Sequence, residues 1–404
     1  MKKIAVTACL DTKYHEVLFA KQLLERLGAQ TLIMDISTAG SVPFRADIPR
    51  ERILEAAGFA WDPEQSRTKE EAIDQMSQGL AVMLRRLYEA GEIQGVLGMG
   101  GLQNTVMCKT AMQELPLGFP KMIVSTVASG FRYFDTVVGD SDITVMPSVV
   151  DFAGMNPVSE SILGNACAAI AGMAEAGGQI VNEAGGTLIG TTLMGITNDT
   201  VMRAAGLLDG AGWQTISFHA TGAGGKALEK MIRDGAVTAC LDLTLHEMTS
   251  EYFGGYGYSR GADNRLCAGS EMGIPMVVCP GGIDFICLRP DELFPDQEKR
   301  GFTWHNSGLT HTRLYEDEIL AISKTIAKRL NRSEGKVTVL LPMDGLRTFS
   351  RKGELFHIPG TIEKMKRLFE EELKPQIKLK CYDLNFDDEE FGTVAANEML
   401  ELLR

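Results

Sequence analysis

The residues best suited to chemistry lie in turns that follow apolar strands. In the first half of the chain, Asp11, Thr12 and Lys13 come directly after the apolar run 3–9. A helix that begins at such a turn offers unpaired N–H groups and the positive end of its dipole, and Lys13 adds a full positive charge. The turn therefore suits a phosphate or a metal–phosphate group, although a capped helix with a solvated lysine fits the local sequence equally well.

Two further turns in the first half have the same character. A glycine-rich turn begins at Gly98, and glycine lets a backbone approach a phosphate closely. The hydroxyl-rich turn 125–129 ends the next predicted strand and could complete the same pocket. A tight structural turn is the alternative in each case. The candidate ligands for a nucleotide are Asp11, Thr12, Lys13, Gly98, Gly100, Gly101, Asn104, Thr105, Ser125, Thr126 and Ser129.

The sharpest motif of the second half is the run Phe218–Glu229, in which a strand ends at a histidine and a glycine loop opens a helix. Histidine titrates near neutral pH, so His219 suits acid–base chemistry. Glu247 and Asp284 follow later strands, and we predict His219, Glu247 and Asp284 as catalytic residues. A structural histidine beside a glycine turn is the alternative. The predicted second anion loop consists of Thr221, Gly222, Gly224 and Gly225.

Two weaker patterns also carry polar groups. Asp140 and Asp142 stand two residues apart and could ligate magnesium through oxygen, or form a plain turn. The stretch 254–261 is rich in glycine and is flanked by Arg260 and Arg265. It could act as a mobile lid or be an exposed loop with ordinary charges. No metal-ligand spacing of the HExxH kind fixes a transition-metal site, so the metal ligands stay unknown.

Alternating elements must position these turns. Short apolar strands alternate with helices in both halves, and the passages that start at Lys2 and Gly186 share one layout of strand, polar turn and helix. This pattern predicts an α/β fold with two Rossmann-like domains, mainly parallel sheets and an interdomain cleft, with ligands beyond the carboxyl ends of the strands. We predict a nucleotide-binding N-terminal domain over residues 1–185 and a C-terminal domain over 186–404.

Composition limits the partners and the compartment. The 404 residues carry a formal net charge of −13, which argues against nucleic acid or an anionic membrane surface as a partner. The eight cysteines are scattered without a CxxC pair, which is typical of reduced thiols in the cytoplasm. No apolar stretch reaches the roughly 20 residues that span a bilayer.

The chain also resembles the Tm-one-like ATP-binding family, whose members include bacterial proteins and the N-terminal domain of a plant antiviral resistance protein. The resemblance covers essentially the whole chain, and Asn104 stands where it implies a further glycine. The segments that carry the resemblance are Asp11–Lys13, Gly98–Gly101, Ser148–Asp151, His219–Gly225, Asp242–Thr244, Pro280–Asp284 and His305–Asn306.

The resemblance implies ATP with magnesium bound on the N-terminal domain, and self-association to at least a dimer. It also implies a TIM-barrel domain appended in plant relatives, so a separate TIM-barrel protein is a candidate partner. We therefore predict a cytoplasmic ATP-binding protein, a metabolic enzyme that acts on a small anionic substrate in the interdomain cleft. Two alternatives stay open: a non-catalytic, ATP-stabilised regulatory or inhibitory binding module, and an ATP-independent hydrolase or lyase that uses His219.

Overall fold

Short apolar strands alternate with helices throughout the chain, and they form two separate α/β units. The computed structural model describes residues 2–62, 68–128, 141–177 and 187–404. The chain divides into the units Met1–Val181 and Asn182–Arg404. The predicted fold class, with mainly parallel sheets in both halves, is confirmed. The predicted boundary at 185–186 falls outside the described residues.

The sheet of the first unit has five parallel strands in the order β2-β1-β3-β4-β5. The chain leaves β1 toward one edge and returns to its other side with β3, so the strand order reverses between these two strands. Ligands of open parallel sheets bind beyond the carboxyl ends of the strands at such a switch point. The strands are β1 (Lys3–Ala8), β2 (Gln30–Asp35), β3 (Gly95–Gly100), β4 (Lys121–Ser125) and β5 (Thr144–Pro147).

Helices cover both faces of this sheet. Strand side chains alternate between two apolar clusters, with Ala5 and Val96 on one face and Val6 and Leu97 on the other. Thr68 accepts a hydrogen bond from the amide of Glu71 and fixes the start of the longest helix. The described helices are α1 (Leu10–Arg26), α2 (Arg50–Ala56), α3 (Lys69–Glu89), α4 (Leu102–Gln113) and α5 (Pro157–Ala176).

The main sheet of the second unit has six parallel strands in the order β14-β13-β9-β8-β6-β7. Here the strand order reverses between β6 and β8, which gives this unit its own switch point. The strands are β6 (Leu188–Leu193), β7 (Gln214–His219), β8 (Ala239–Thr244), β9 (Met276–Gly281), β13 (Val337–Pro342) and β14 (Lys378–Tyr382).

A second, antiparallel sheet in this unit was not predicted from the sequence. Its strands are β10 (Phe285–Leu288), β11 (Phe302–Asn306) and β12 (Leu309–Arg313), in the order β10-β12-β11. The last two are rich in Thr, His and Asn, so they lack the apolar run that marks a buried parallel strand. The helices are α6 (Asn198–Gly210), α7 (Ala223–Arg233), α8 (Glu247–Tyr252), α9 (Cys267–Glu271), α10 (Gln297–Arg300), α11 (Glu316–Leu330), α12 (Thr361–Glu372) and α13 (Glu389–Leu403).

Two global features bear on the sequence-based expectations. All eight cysteines are free thiols, and seven of them are buried. Within the described ranges, the helices are all too short or too polar to cross a lipid bilayer.

Gly98 lies in the middle of the buried strand β3, and packing explains why a glycine stands there. A Cβ atom at this position would lie 2.7 Å from Cys108 Sγ and 2.9 Å from Cys108 Cβ, both on helix α4. The glycine therefore lets α4 lie close against the sheet, and its role is structural, which differs from the predicted phosphate contact.

We predict that Gly98→Ala lowers the free energy of unfolding by about 1–3 kcal/mol, because the added methyl group overpacks the contact with α4. Urea unfolding measures this change. Gly172→Ala is the matched control, since Gly172 lies in α5 of the same unit and has nothing within 4 Å of its would-be Cβ. In the control, the free energy of unfolding should rise by roughly 0.5–1 kcal/mol, because alanine is favoured over glycine inside a helix. Equal effects of the two substitutions would contradict the packing role of Gly98.

Candidate functional site

A cavity of about 830 Å³ lies at the switch point of the first unit, beyond the carboxyl ends of β1 and β3. This volume falls in the range of about 300–1,000 Å³ that is typical of small-molecule sites. The predicted residues that line the cavity are Asp11, Thr12, Lys13, Gly101 and Asn104.

The start of helix α4 presents open N–H groups to this cavity. Gly101 precedes the helix, and no side chain caps it. The first intrahelical bond runs from the amide of Thr105 to the carbonyl of Gly101, at 2.9 Å. Within the described part of the chain, the amides of Leu102, Gln103 and Asn104 have no acceptor. Such an uncapped helix start attracts anions, because its amides and its dipole both favour negative charge.

The start of helix α1 is different, and the predicted free amides are not there. The N–H of Leu10 donates to Asp35 Oδ1 and that of Asp11 donates to Ser37 Oγ, both at 3.2 Å. Protein groups therefore already satisfy these donors. Only the side chains of the Asp11-Thr12-Lys13 turn are left to contact a ligand.

Lys13 has a structural contact of its own. Its ammonium donates to the carbonyl of Phe152, and its backbone leaves the helical conformation, with φ −121° and ψ 19°. The same side chain lines the cavity. Because an ammonium has three donors, Lys13 can hold this carbonyl and still contact an anion.

Several predicted nucleotide ligands make contacts within the protein that hold the turns together. Asn104 Oδ1 accepts a hydrogen bond from the amide of Cys9 at 2.8 Å, which links α4 to the end of β1. Gly100 has a φ of 146°, and a Cβ there would lie 2.4 Å from Asn104 Nδ2. The hydroxyls of Thr105 and Ser125 bond to each other at 2.7 Å. Thr126 lies beside Gly101, and Ser129 lies outside the described residues.

Arg50, Trp61 and Lys69 are among the side chains of the cavity that were not predicted from the sequence. The guanidinium of Arg50 lies 3.9 Å above the centre of the Trp61 ring and donates to the carbonyls of Ala39 and Gly40. Lys69 is exposed, and the described residues offer it no polar partner.

One signal in the sequence could have found two of these residues. Arg50 and Lys69 are each the first residue of a helix, the end at which the dipole disfavours a cation. With Lys13 they give the cavity three cations against the two carboxylates Asp11 and Asp62. A positive excess inside a chain of net charge −13 is suited to an anionic ligand.

The glycine loop of the second unit is occupied by a protein carboxylate. Glu247 Oε1 accepts hydrogen bonds from the amides of Gly222 at 2.7 Å and Gly225 at 3.0 Å. A Cβ at Gly225 would lie 2.0 Å from Glu247 Oε2, and one at Gly224 would lie 2.1 Å from the carbonyl of His219. The loop does bind an anion, as its residues suggest, but the anion belongs to the chain. Thr221 bonds instead to the His219 ring at 3.2 Å.

Glu247 belongs to a fully buried ion cluster around Arg265. The guanidinium contacts Asp242 Oδ2 at 2.6 Å, Glu247 Oε2 at 3.0 Å and Glu229 Oε1 at 3.8 Å. Burial raises the pKa of Glu247 to about 7, and the nearby Arg265 only partly offsets this. Burial also raises the pKa of Asp242 and Glu229. Arg265 is therefore a structural cation and does not flank a lid as an ordinary surface charge.

The three predicted catalytic residues do not form one group. His219 is exposed at the end of the edge strand β7, whereas Glu247 is buried in the Arg265 cluster. Asp284 is buried beside Arg347, whose Nε lies 3.4 Å from Asp284 Oδ2. Across the described ranges, no hydrogen bond or ion pair joins any two of the three. This arrangement gives no support to the hydrolase or lyase alternative.

The predicted magnesium carboxylates also have another role. Asp142 pairs with the buried ammonium of Lys121 at 2.5 Å and accepts from the amide of Gly118 at 2.7 Å. Asp140 lies outside the described residues. Among the residues that the structure describes, no group of three or more His, Cys, Asp or Glu side chains could hold a metal ion.

Models of one protein family match nearly the whole chain. The N-terminal and C-terminal domain models of the Uncharacterised protein family (UPF0261) match residues 2–179 and 186–403. A UPF0261 protein from Clostridium tetani is 34% identical and covers 100% of this chain and 99% of its own length. The ToMV resistance protein Tm-1(GCR237) of Solanum lycopersicum is 33% identical over 82% of this chain.

The match to the tomato protein is partial, because it covers only 44% of that protein's length. Among solved structures, a UDP-N-acetylglucosamine 2-epimerase from Listeria monocytogenes, described as putative, covers 69% of this chain and 79% of its own. It is 12% identical with a TM-score of 0.25, and so loose an overlap supports no conclusion.

The buried cluster generates a prediction about pH. Because the folded chain binds the Glu247 proton more tightly than the unfolded chain, this group's stabilisation is complete below about pH 4.5 and is lost as pH rises to about 7. Urea unfolding at about pH 5 and about pH 7.5 should show this decline in the wild type and a smaller one in Glu247→Gln. The matched control is Glu334→Gln, an exposed glutamate of the same unit, which should keep the wild-type pH dependence. Parallel curves for all three proteins would contradict the assignment.

Proposed function

The chain belongs to the UPF0261 family, which confirms its predicted resemblance to the Tm-one-like family, and we propose that its first unit binds ATP in the cavity beyond the carboxyl ends of β1 and β3. One observation carries the proposal above the others. The uncapped start of α4 opens into a cavity that gathers cations within an acidic chain. A multiply charged anion would accept hydrogen bonds from the free amides and would also neutralise the cations.

The phosphates find two kinds of donor in this cavity. The amides of Leu102, Gln103 and Asn104 supply fixed N–H groups, and Lys13 and Lys69 supply mobile charges. Amides at a helix start and nearby lysines are a common combination in phosphate sites. The Asp11-Thr12-Lys13 turn contributes through its side chains alone.

The base has a separate platform. Trp61 lines the same cavity, and Arg50 stacks on its ring. Stacking of a base on an aromatic side chain contributes about 1–3 kcal/mol. Because Arg50 also holds the carbonyls of Ala39 and Gly40, it fixes the loop after β2 around the cavity. A purine base stacked on this aromatic and guanidinium wall would complete the nucleotide site.

Magnesium fits the proposal through oxygen donors. Asp11 and Asp62 both line the cavity, and magnesium in nucleotide sites is bound by one or two carboxylates together with substrate phosphates. These carboxylates would hold the ion, which would neutralise phosphate charge. Asp11 Oδ1 accepts a hydrogen bond from the Thr12 hydroxyl at 3.2 Å, so the Thr12 side chain orients this carboxylate.

Two activities are compatible with ATP in this cavity: a metabolic enzyme that acts on a small anionic substrate, and a regulatory or inhibitory binding module that ATP stabilises. Turnover separates them. An enzyme releases product when ATP is supplied with its substrate, whereas a binding module shows only ATP-dependent thermal stabilisation. Self-association, a TIM-barrel partner and a cytoplasmic location stay predictions.

The nucleotide site is tested by removing Lys69, a lining cation with no polar partner among the described residues. Lys69→Ala should weaken ATP binding about tenfold, or about 1.4 kcal/mol, because one charged contact to phosphate is lost. Trp61→Ala should weaken the binding of ATP and the binding of adenosine to a similar degree, whereas Lys69→Ala should leave adenosine binding unchanged. Isothermal titration calorimetry measures all four affinities.

Arg52→Ala is the control for this series. Arg52 lies on α2 two residues from Arg50, is exposed and does not line the cavity, so its removal should leave ATP affinity as it was. An ATP affinity that is unchanged by both Lys69→Ala and Trp61→Ala would exclude this cavity as the nucleotide site.

A further inference from the structure

A second cavity, of about 280 Å³, lies in the second unit beyond the carboxyl end of β13. It is independent of the proposed ATP site and is built from the loops after β9 and β13 and the start of α12. Its size is just under the roughly 300 Å³ at which sites for drug-sized ligands begin, so it suits a small metabolite. Its apolar walls are Ile319, Met343, Leu346, Phe356, Ile358 and Met365.

Asp284 supplies a buried acceptor to this cavity. Its side chain lines the cavity and is 3% exposed, and among the described residues neither carboxylate oxygen has a partner in hydrogen-bond geometry. Arg347 contacts it as an ion pair, with Nε 3.4 Å from Oδ2, but without hydrogen-bond geometry. A buried carboxylate that lacks hydrogen bonds is costly. A ligand that donates to Asp284 would remove this cost.

The same cavity offers donors for a negative group. Helix α12 begins after Gly360, which has a φ of 82°, and no side chain caps the helix. Within the part of the chain that the structure describes, the amides of Ile362 and Glu363 have no acceptor. Lys352 also lines the cavity, is exposed and has no polar partner there. Amides at a helix start and an unpaired ammonium both favour an anion.

The remaining charged groups do not compete for these roles. Asp344 already pairs with Arg351, whose Nε lies 3.3 Å from Asp344 Oδ2. Glu363 is exposed in the first turn of α12, where the helix dipole stabilises an acidic side chain. Asp284 is therefore the buried acceptor of the cavity, and Lys352 is the lining cation to which the described part of the chain offers no polar partner.

We propose that this cavity binds a small zwitterion of the amino-acid class. The ligand's ammonium donates to Asp284, and its carboxylate accepts from the start of α12 and from Lys352. Its aliphatic side chain packs on the apolar walls. Because Asp284 is buried and Lys352 is exposed, the ammonium enters first and the carboxylate stays nearer to solvent. An amine alone or a carboxylic acid alone satisfies only one end of the site.

The first experiment uses the full chain and three probes that share the same isobutyl side chain. L-Leucine carries both charges, isoamylamine lacks the carboxylate, and 4-methylpentanoate lacks the ammonium. Isothermal titration calorimetry should show L-leucine binding at least about tenfold more tightly than either analogue, since each analogue loses charged hydrogen bonds. Failure of L-leucine to bind at millimolar concentration, or equal binding of either analogue, would overturn the proposal.

Substitutions then locate the site. Lys352→Glu should weaken L-leucine binding about tenfold and leave isoamylamine binding unweakened, because it acts on the carboxylate end alone. Asp284→Asn should weaken both. Lys328→Glu is the matched control, since Lys328 is exposed on α11 and does not line the cavity.

The test does not depend on Asp284→Asn alone, because Lys352→Glu changes an exposed residue. If Asp284→Asn unfolds because Arg347 loses its partner, Lys352→Glu still reports on the site, since Lys352 is exposed. L-Leucine affinity that is equal in the wild type, Lys352→Glu and Lys328→Glu would show that the ligand binds elsewhere and would exclude this cavity.

Discussion

Every helix that starts at the edge of a parallel sheet brings N–H groups that need acceptors. The helix starts of this chain differ in whether protein groups supply those acceptors. Helix α1 receives acceptors from Asp35 and Ser37, and the glycine loop before α7 receives one from Glu247. The described residues supply none to the first turn of α4 or to the amides of Ile362 and Glu363 in α12. Both of these open helix starts border a cavity. The start of α1 borders the first cavity too, but its amides already have protein acceptors, so open donors beside a cavity mark the candidate contacts for an anionic ligand.

The acceptor at the start of α7 determines which charged groups must lie around it in the second unit. Glu247 fills the place that a ligand anion would take at the glycine loop, and its carboxylate is buried. Burying a carboxylate requires a cation, which Arg265 provides. Arg265 in turn contacts Asp242 at the end of β8 and Glu229 on α7, and Glu229 accepts from the amides that open α9. One capped helix start therefore connects three helices and a central strand through charge.

The fold class could be predicted from the sequence because alternating apolar strands and helices leave few topologies. The turns at Asp11 and Gly101 were found because local residue types mark strand ends. Trp61 reaches the same cavity through the path of the chain after β2, which no local pattern encodes, whereas Arg50 and Lys69 carry a local signal as cations at helix starts. The glycine loop at 222–225 shows a different limit, since the same residues accommodate a ligand anion or a protein carboxylate. The occupant, Glu247, lies on another element and is revealed only by the folded structure.

The Arg265 cluster also restricts which substitutions this chain can accept. Removal of one partner leaves a buried charge uncompensated, at a cost of about 3–5 kcal/mol, which is a large share of the stability of a typical domain. Gly225 is constrained in the same way, because any side chain there would collide with the Glu247 carboxylate. Lineages that abandon this arrangement must therefore exchange several distant positions almost together. Simultaneous replacement of several residues is rare, so the cluster slows sequence change at the centre of the second unit.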